Sequence, residues 1–244
     1  AAHAGELAAV VLEPLVQGAA GMLCATPDDV RRVGEACREA GTLLVCDEVA
    51  TGFGRTGTLF ASEQCGLRPD LLCLGKGLTG GYLAMSATVA SGEVYRAFLG
   101  ADLGPLTFYH GHSYGGNALA AAVGVEHLRL IDSWDVLANV RARAEQLAAL
   151  LTQRVAPRNV VLAVRQRGLM VGVELAPPES GLRWGRRVCA HAVARGVLLR
   201  PLGDVVVLMP PLTITDDEVV RMVDALEGAL DEVTSDRSGD TLPS

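Results

Sequence analysis

Three short apolar runs, at residues 42–46, 70–74 and 85–90, place the strongest constraint on the fold of this 244-residue chain. A helix precedes the first run: Thr26 is a good N-cap, a proline follows it, and helical sequence continues to about Ala40. Strands that are apolar throughout and are joined through helices are typical of a parallel sheet covered on both faces. The sequence therefore predicts an α/β fold with a mainly parallel sheet.

The pattern changes after residue 132. A long helix is expected at about 134–155, strands near 160–165 and 169–175, a helix near 181–195, strands near 197–200 and 205–208, and a last helix at about 216–233. This order indicates a smaller α+β domain over residues 133–234 that follows part of a larger domain over residues 1–132. The polar residues 235–244 are predicted to be a disordered tail.

Composition and charge favour some classes of partner over others. The net charge of −7 argues against nucleic-acid and anionic-membrane partners. No apolar stretch approaches the roughly 18 residues of a membrane helix, and no signal-peptide pattern is visible at the N-terminus. The six cysteines form no C-x-x-C pair and are interpreted as core residues, so no metal site is predicted. We expect a cytoplasmic protein without nucleic-acid or membrane partners.

Lys76 is the single lysine among the 21 lysines and arginines of the chain. It follows the apolar run 70–74 and lies between Gly75 and Gly77. Arginine can replace lysine in a surface ion pair, but only lysine can lose its proton and attack a carbonyl group. Lys76 is therefore a candidate for Schiff-base chemistry, and the alternative is that it is one surface lysine left by chance.

Asp47 ends the preceding strand, 29 positions before Lys76 (76 − 47). Ligands of doubly wound sheets lie at the carboxyl ends of the strands, so both side chains are expected at one crevice. An enzyme that uses pyridoxal phosphate (PLP) needs a lysine to hold the aldehyde and an aspartate to keep the pyridine nitrogen protonated. The alternative for Asp47 and Lys76 is a buried ion pair.

Two longer strings resemble a known family. Residues 46–57 read Cys-Asp-Glu-Val-Ala-Thr-Gly-Phe-Gly-Arg-Thr-Gly, and residues 74–81 read Leu-Gly-Lys-Gly-Leu-Thr-Gly-Gly. With residues 13–22, they resemble the signature of class III aminotransferases, which are PLP-dependent transferases of fold type I. The glycines at 52–57 could also suggest a dinucleotide loop, but their spacing from the strand is wrong and no clean helix follows.

The family resemblance implies PLP as the cofactor and residues 1–132 as the C-terminal part of the PLP-binding large domain. It implies that Lys76 carries the cofactor and acts as the catalytic residue. It also implies that Asp47 contacts the ring nitrogen and that Val49 packs against one face of the ring.

Three features resemble the branch of the family that makes 7,8-diaminopelargonate from 8-amino-7-oxononanoate in biotin synthesis. They are Ala50, the loop 107–117 and the pattern Arg-Pro-Leu-Gly-Asp at 200–204 before Met-Pro-Pro. This resemblance implies that the Arg200 guanidinium forms a bidentate pair with the substrate carboxylate and that Gly111 lies at the substrate. Taken alone, Arg200 is better interpreted as a surface arginine beside a Pro-Gly turn, and its spacing before Met-Pro-Pro favours the functional role.

The loop 107–117 also resembles a segment that reaches the neighbouring subunit in this family. The resemblance implies that the Ser113 hydroxyl binds the cofactor phosphate of the neighbouring subunit in a homodimer, with His112 beside it at the cofactor site. S-adenosylmethionine is the implied amino donor.

The resemblance covers the C-terminal half of a family member, so we expect a fragment without the segments that complete the cofactor site. Two alternatives stay open. One is another class III ω-aminotransferase, acting on 4-aminobutyrate or ornithine, and the other is a catalytically silent chain.

Overall fold

The computed structural model describes residues 5–179 and 181–235. The strands of this part are β1 (Ala9–Leu12), β2 (Val16–Gln17), β3 (Leu23–Cys24), β4 (Leu43–Asp47), β5 (Leu71–Leu74), β6 (Ala87–Ala90), β7 (Val161–Arg167), β8 (Met170–Leu175), β9 (Arg200–Leu202) and β10 (Val205–Leu208). The α-helices are α1 (Pro27–Ala40), α2 (Ala61–Gln64), α3 (Gly92–Arg96), α4 (Ala118–Ser133), α5 (Val136–Leu150), α6 (Trp184–Ala194) and α7 (Asp216–Ser235). A 3-10 helix covers Lys76–Thr79, and a π-helical turn covers Leu151–Val155.

The described residues fall into two compact units. The first comprises those up to residue 15 and residues 25–53 and 58–135, and the second comprises residues 16–24, 54–57 and those from 136 onward. The predicted boundary at residue 132 divides the chain at one point. It does not include the two short segments 16–24 and 54–57, which belong to the second unit although they precede this boundary. Hydrogen bonds explain one of them, since the Arg165 guanidinium donates to the Gly21 carbonyl over 2.9 Å.

The first unit contains a four-stranded sheet in the order β1-β4-β5-β6. β1 and β4 are parallel, β4 and β5 are parallel, and β6 runs antiparallel to β5 at the edge. The predicted mainly parallel α/β sheet is therefore confirmed, with β6 as the exception. Burial on both faces holds for the central strand β4, where Leu44, Val45 and Cys46 are all buried, but not for β6, where Val89 is 54% exposed.

Helix α1 covers the sheet as its sequence predicts. The Thr26 hydroxyl accepts a hydrogen bond from Asp29 N over 3.1 Å, which satisfies a free amide of the first turn. The helix ends at Gly41, whose φ of 64° lies in the left-handed region that favours glycine. Its buried Cys37 packs with Leu44 and Cys46 of β4.

The second unit is an α+β domain built on an antiparallel sheet in the order β7-β8-β10-β9. Its longest helix, α7, buries an apolar face that includes Val223, Leu226 and Leu230. Helices α5 and α6 pack against α7. The smaller α+β domain predicted after residue 132 is present.

Two predicted elements differ from the structure. The strand expected near 197–200 is wrong, because the chain extends only at β9, where it forms a hairpin with β10 around Gly203 (φ 61°). Leu198, which suggested a buried strand, is 87% exposed. The helix expected at about 134–155 stays regular only to Leu150 and ends in the π-helical turn.

Ser235 ends α7, and the other residues of the predicted tail lie outside the described residues. In residues 5–179 and 181–235, no helix combines the length and apolarity needed to cross a membrane. The same residues contain no group of three or more His, Cys, Asp and Glu side chains placed to bind a metal ion.

Helix α4 depends on a side-chain cap, which gives a test of the fold. Asn117 Oδ1 accepts from Leu119 N and Ala120 N over 3.1 and 3.3 Å. We predict that Asn117→Ala lowers the free energy of unfolding by about 1 kcal/mol, because both amides lose their acceptor. Denaturant unfolding measures this. Asn159→Ala, at an exposed turn residue, is the control and should change stability by less than about 0.5 kcal/mol. Equal losses in the two variants would contradict the cap.

Candidate functional site

The carboxyl ends of β4 and β5 lie side by side. The two strands are parallel, and Asp47 at the end of β4 pairs with Cys73 of β5. Lys76 follows Cys73 by three residues and begins the 3-10 helix that leaves the sheet. Asp47 and Lys76 therefore belong to the same edge of one sheet, as expected for a site at the carboxyl ends of parallel strands.

Asp47 and Lys76 do not form an ion pair. Lys76 is exposed, and its side chain makes no hydrogen bond or ion pair with any described residue. Asp47 is half-buried, and its Oδ1 accepts from Val49 N over 3.0 Å. Its Oδ2 has no hydrogen-bond partner within the described part of the chain. Both groups are thus available to a ligand, which does not fit the alternative of a structural Asp–Lys pair.

Lys76 has an unusual backbone conformation. Its φ of 40° lies in the left-handed region, which non-glycine residues rarely adopt and which is enriched at functional sites. We call residues 75–80 the Lys76 turn. A Cβ at Gly75 would lie 3.3 Å from Val49 Cγ1, so the Val49 side chain packs directly beside the residue that precedes the lysine. The structure therefore brings Asp47, Val49 and Lys76 to one edge of the sheet.

A buried carboxylate next to Asp47 anchors the loop that follows β4. Glu48 is fully buried. Its Oε2 accepts from the Thr51 hydroxyl (2.6 Å) and from Ala61 N (3.0 Å), and its Oε1 accepts from Ser62 N (2.7 Å). Sequence reasoning missed this role, because two of the three partners are backbone amides of α2, and nothing in the residue types Ala61 and Ser62 reveals them.

The Ser113 loop forms an exposed turn in the first unit. Gly115 N donates to the His112 carbonyl over 2.8 Å, and Tyr114 N donates to His112 Nδ1 over 3.2 Å. Ser113 lies at the tip of this turn, and its hydroxyl has no hydrogen-bond partner among the described residues. Gly111 precedes the turn and is exposed. No hydrogen bond or ring contact among the described residues links this loop to Lys76, and His112 accepts two hydrogen bonds within the turn itself.

Arg200 begins β9 in the second unit. It pairs across the hairpin with Val207 of β10, and its side chain is exposed without a hydrogen bond or ion pair to a described residue. Asp204 of the same motif fixes the hairpin, because its Oδ1 accepts from Gly185 N over 3.0 Å at the start of α6. The guanidinium is therefore held on a rigid hairpin and is free to bind an anion.

Arg55 of the glycine loop 52–57 also belongs to the second unit. Its guanidinium donates to the Pro210 carbonyl, and its own carbonyl accepts from Leu169 N over 3.0 Å. Burial lowers the pKa of Arg55 to about 10, so the group stays charged at neutral pH. Arg55 thus fixes the Met-Pro-Pro segment that follows β10.

The fold and the lysine-bearing sheet edge define a class of protein. Residues 1–230 match the family model of class-III aminotransferases. The chain belongs to the class III aminotransferase family, and it has the PLP-dependent transferase fold of type I: part of the large domain, followed by the smaller α+β domain.

Particular relatives share one name. The chain is 47% identical over 242 residues to the adenosylmethionine-8-amino-7-oxononanoate aminotransferase of Nitratidesulfovibrio vulgaris, a match that covers 95% of this chain and 44% of that protein. It is 42% identical to the protein of the same name from Geobacter sulfurreducens, covering 95% of this chain and 52% of that protein. The chain thus spans about half the length of these curated relatives.

Solved structures agree with this relationship. The crystal structure of the adenosylmethionine-8-amino-7-oxononanoate aminotransferase from Methanocaldococcus jannaschii is 38% identical and superposes with a TM-score of 0.90, covering 95% of this chain and 55% of that one. An amine transaminase from an uncultivated Pseudomonas species, solved in a PLP-bound form, is 36% identical with a TM-score of 0.88, covering 94% of this chain and 53% of that one.

Glu48 allows a test of the loop that supports the site. We predict that Glu48→Gln lowers the free energy of unfolding by about 1–3 kcal/mol, because an amide group then faces donors that need an acceptor. Glu63→Gln makes the same chemical change at an exposed position of α2 and should have an effect below about 0.5 kcal/mol. Thermal or denaturant unfolding of the two variants gives the comparison. Indistinguishable stabilities would show that the buried carboxylate does not anchor the loop.

Proposed function

We propose that this chain supplies the lysine-bearing half of a PLP-dependent aminotransferase that moves an amino group onto 8-amino-7-oxononanoate to give 7,8-diaminononanoate in biotin synthesis. The observation that carries the proposal is the sheet edge where β4 and β5 end, because Asp47 Oδ2 and Lys76 Nζ have no hydrogen-bond or ion-pair partner among the described residues. A free amine and a free carboxylate at neighbouring strand ends are the donor set that PLP requires, so the residues present fit this cofactor.

Each residue of the site has a proposed role. Bound PLP supplies an electron sink for negative charge that develops beside the reacting nitrogen. Lys76 Nζ would hold the cofactor and, when released from it, would accept and return a proton as a general base. The Asp47 carboxylate would keep the ring nitrogen protonated, and Val49 would pack against one face of the ring.

Substrate recognition is assigned to Arg200. Its guanidinium is exposed on the β9–β10 hairpin and can bind both oxygens of a carboxylate at once. The proposed acceptor ends in such a carboxylate, far from its reacting ketone. The names of the Nitratidesulfovibrio and Geobacter relatives support this acceptor, and they also support S-adenosylmethionine as the amino donor. Gly111 is proposed to lie beside the substrate.

The Ser113 turn supports a further part of the proposal. Its hydroxyl has no partner among the described residues, so we assign it to the cofactor phosphate of a second subunit in a homodimer, with His112 shaping the turn. The six cysteines are all free, which favours a reducing compartment, and the cytoplasm is the proposed location.

The position of the cofactor can be measured directly. We predict that borohydride reduction of the holoenzyme, followed by peptide mapping, places the pyridoxyl group on Lys76. The expectation follows from its free amine and from the absence of any other lysine in this sequence. A label found only on another residue would refute the assignment.

The substrate assignment has its own test. We predict that Arg200→Ala lowers kcat/KM for 8-amino-7-oxononanoate roughly 10- to 150-fold, since hydrogen bonds to charged groups contribute about 1.5–3 kcal/mol. Arg200→Lys should recover only part of the lost kcat/KM, because an ammonium group cannot form a bidentate pair with a carboxylate. Arg186→Ala removes the same charge from an exposed position of α6 and serves as the control.

The Arg200 experiment also distinguishes the proposed function from its main alternative. Amine transaminases are among the similar solved structures, so an ω-aminotransferase with another acceptor is the second candidate. Unchanged kinetics with 8-amino-7-oxononanoate in Arg200→Ala would contradict the first candidate and favour the second. The absorbance of lysine-bound PLP should persist in every Arg200 variant, which shows that the chemistry at Lys76 is intact.

A further inference from the structure

Two aromatic rings lie against the glycines of the Lys76 turn. A Cβ at Gly77 would lie 2.9 Å from Phe53 Cβ, and a Cβ at Gly80 would lie 2.9 Å from His127 Cδ2. Both distances are shorter than real Cβ contacts. The rings of Phe53 and His127 therefore approach the backbone of the turn as closely as glycine allows.

The two rings also pack against each other and are anchored beyond the turn. The Phe53 and His127 centroids are 6.3 Å apart with an interplanar angle of 52°. Phe53 also makes an edge-on contact with Phe60 at 5.6 Å, and only 2% of its surface is exposed. The next residue, Ala61, is held by the buried Glu48 carboxylate. This chain of contacts connects the end of β4 to the far side of the Lys76 turn.

Helix α4 supplies the other support. A Cβ at Gly124 would lie 3.2 Å from the Leu78 carbonyl oxygen, so α4 meets the turn with a small residue there and with His127 one turn later. The helix therefore touches the turn at two points. Its rigid backbone limits how far the turn can move away from the sheet edge.

His127 carries an unpaired polar atom in this contact. Its Nδ1 is buried and has no hydrogen-bond partner among the described residues. Burial lowers the pKa of His127, so the ring is neutral at physiological pH. A buried nitrogen without a partner reduces stability, so the stability of the fold gives no reason for a histidine rather than an apolar ring. The atoms of the ring that face Gly80 are Cδ2, Nε2 and Cγ, so the contact does not involve Nδ1.

We propose that His127 is a positioning residue: together with Phe53 it clamps the Lys76 turn, so that Lys76 Nζ is directed at the aldehyde of PLP. The inference rests on the proposed role of Lys76. A clamped turn presents the amine in one arrangement, whereas a loose turn must be ordered each time the cofactor binds. His127 would act through the turn, because its ring lies against Gly80 and Phe53.

The test measures labelling of Lys76 as a function of PLP concentration. Wild type, His127→Ala, His127→Phe and Arg129→Ala are incubated with graded PLP, reduced with borohydride and mapped. We expect His127→Ala to need roughly tenfold more PLP for half-labelling of Lys76, because the turn loses its preorganisation. His127→Phe keeps a flat ring and should label as wild type does. Arg129→Ala, with an exposed side chain on the same helix, should also be unchanged.

Stability is monitored in parallel, and a second variant perturbs the clamp from the side of the turn. Gly80→Ala places a methyl group against the His127 ring and strains a backbone at φ 60°, so it should weaken labelling as His127→Ala does. Wild-type labelling in both His127→Ala and Gly80→Ala overturns the role of His127, as does failure of a folded His127→Phe to label. If the wild-type protein is labelled elsewhere than at Lys76, the proposed function itself fails.

Discussion

The site depends on the parallel pairing of β4 with β5. The ladder places Asp47 opposite Cys73, and Glu48 N extends it by donating to the Cys73 carbonyl over 2.9 Å. Successive side chains of a strand point to opposite faces, so a slip of one residue would exchange Asp47 with Glu48. The register therefore decides which carboxylate stays open and which is buried, and it also decides where Lys76 leaves the sheet.

The turn after β5 determines where the lysine lies relative to the paired strands. Gly75 leaves room for Val49, and Gly77 leaves room for Phe53, so side chains from the β4 loop determine the path of the turn. The chain then enters the left-handed region at Lys76 itself. A strained residue persists only where its surroundings hold it, and here the surroundings are close packing on glycine.

Local sequence signals were sufficient for part of this structure. The Thr26 cap and Gly41 fix the ends of α1, and the apolar run before Asp47 gives β4. The strand expected near 197–200 failed because apolar residues such as Leu198 can lie exposed beside a hairpin, and hydrophobicity alone does not set hairpin register. The Glu48 anchors and the contact between His127 and Gly80 join residues far apart in sequence. Only the tertiary structure brings such partners together.

Asp47 and Glu48 show how one fold separates scaffold from site. The two carboxylates are adjacent in sequence, yet Glu48 accepts from three donors, whereas Asp47 Oδ2 and Lys76 Nζ have no partner in residues 5–179 and 181–235. A carboxylate with three donors has little left to offer a ligand, and it holds its loop rigid instead. Lys76 is exposed and Asp47 is half-buried, so a ligand at this edge of the sheet can reach the amine and the remaining carboxylate oxygen. The contrast between these neighbours, more than either residue by itself, supports the proposal that the carboxyl ends of β4 and β5 form the functional site.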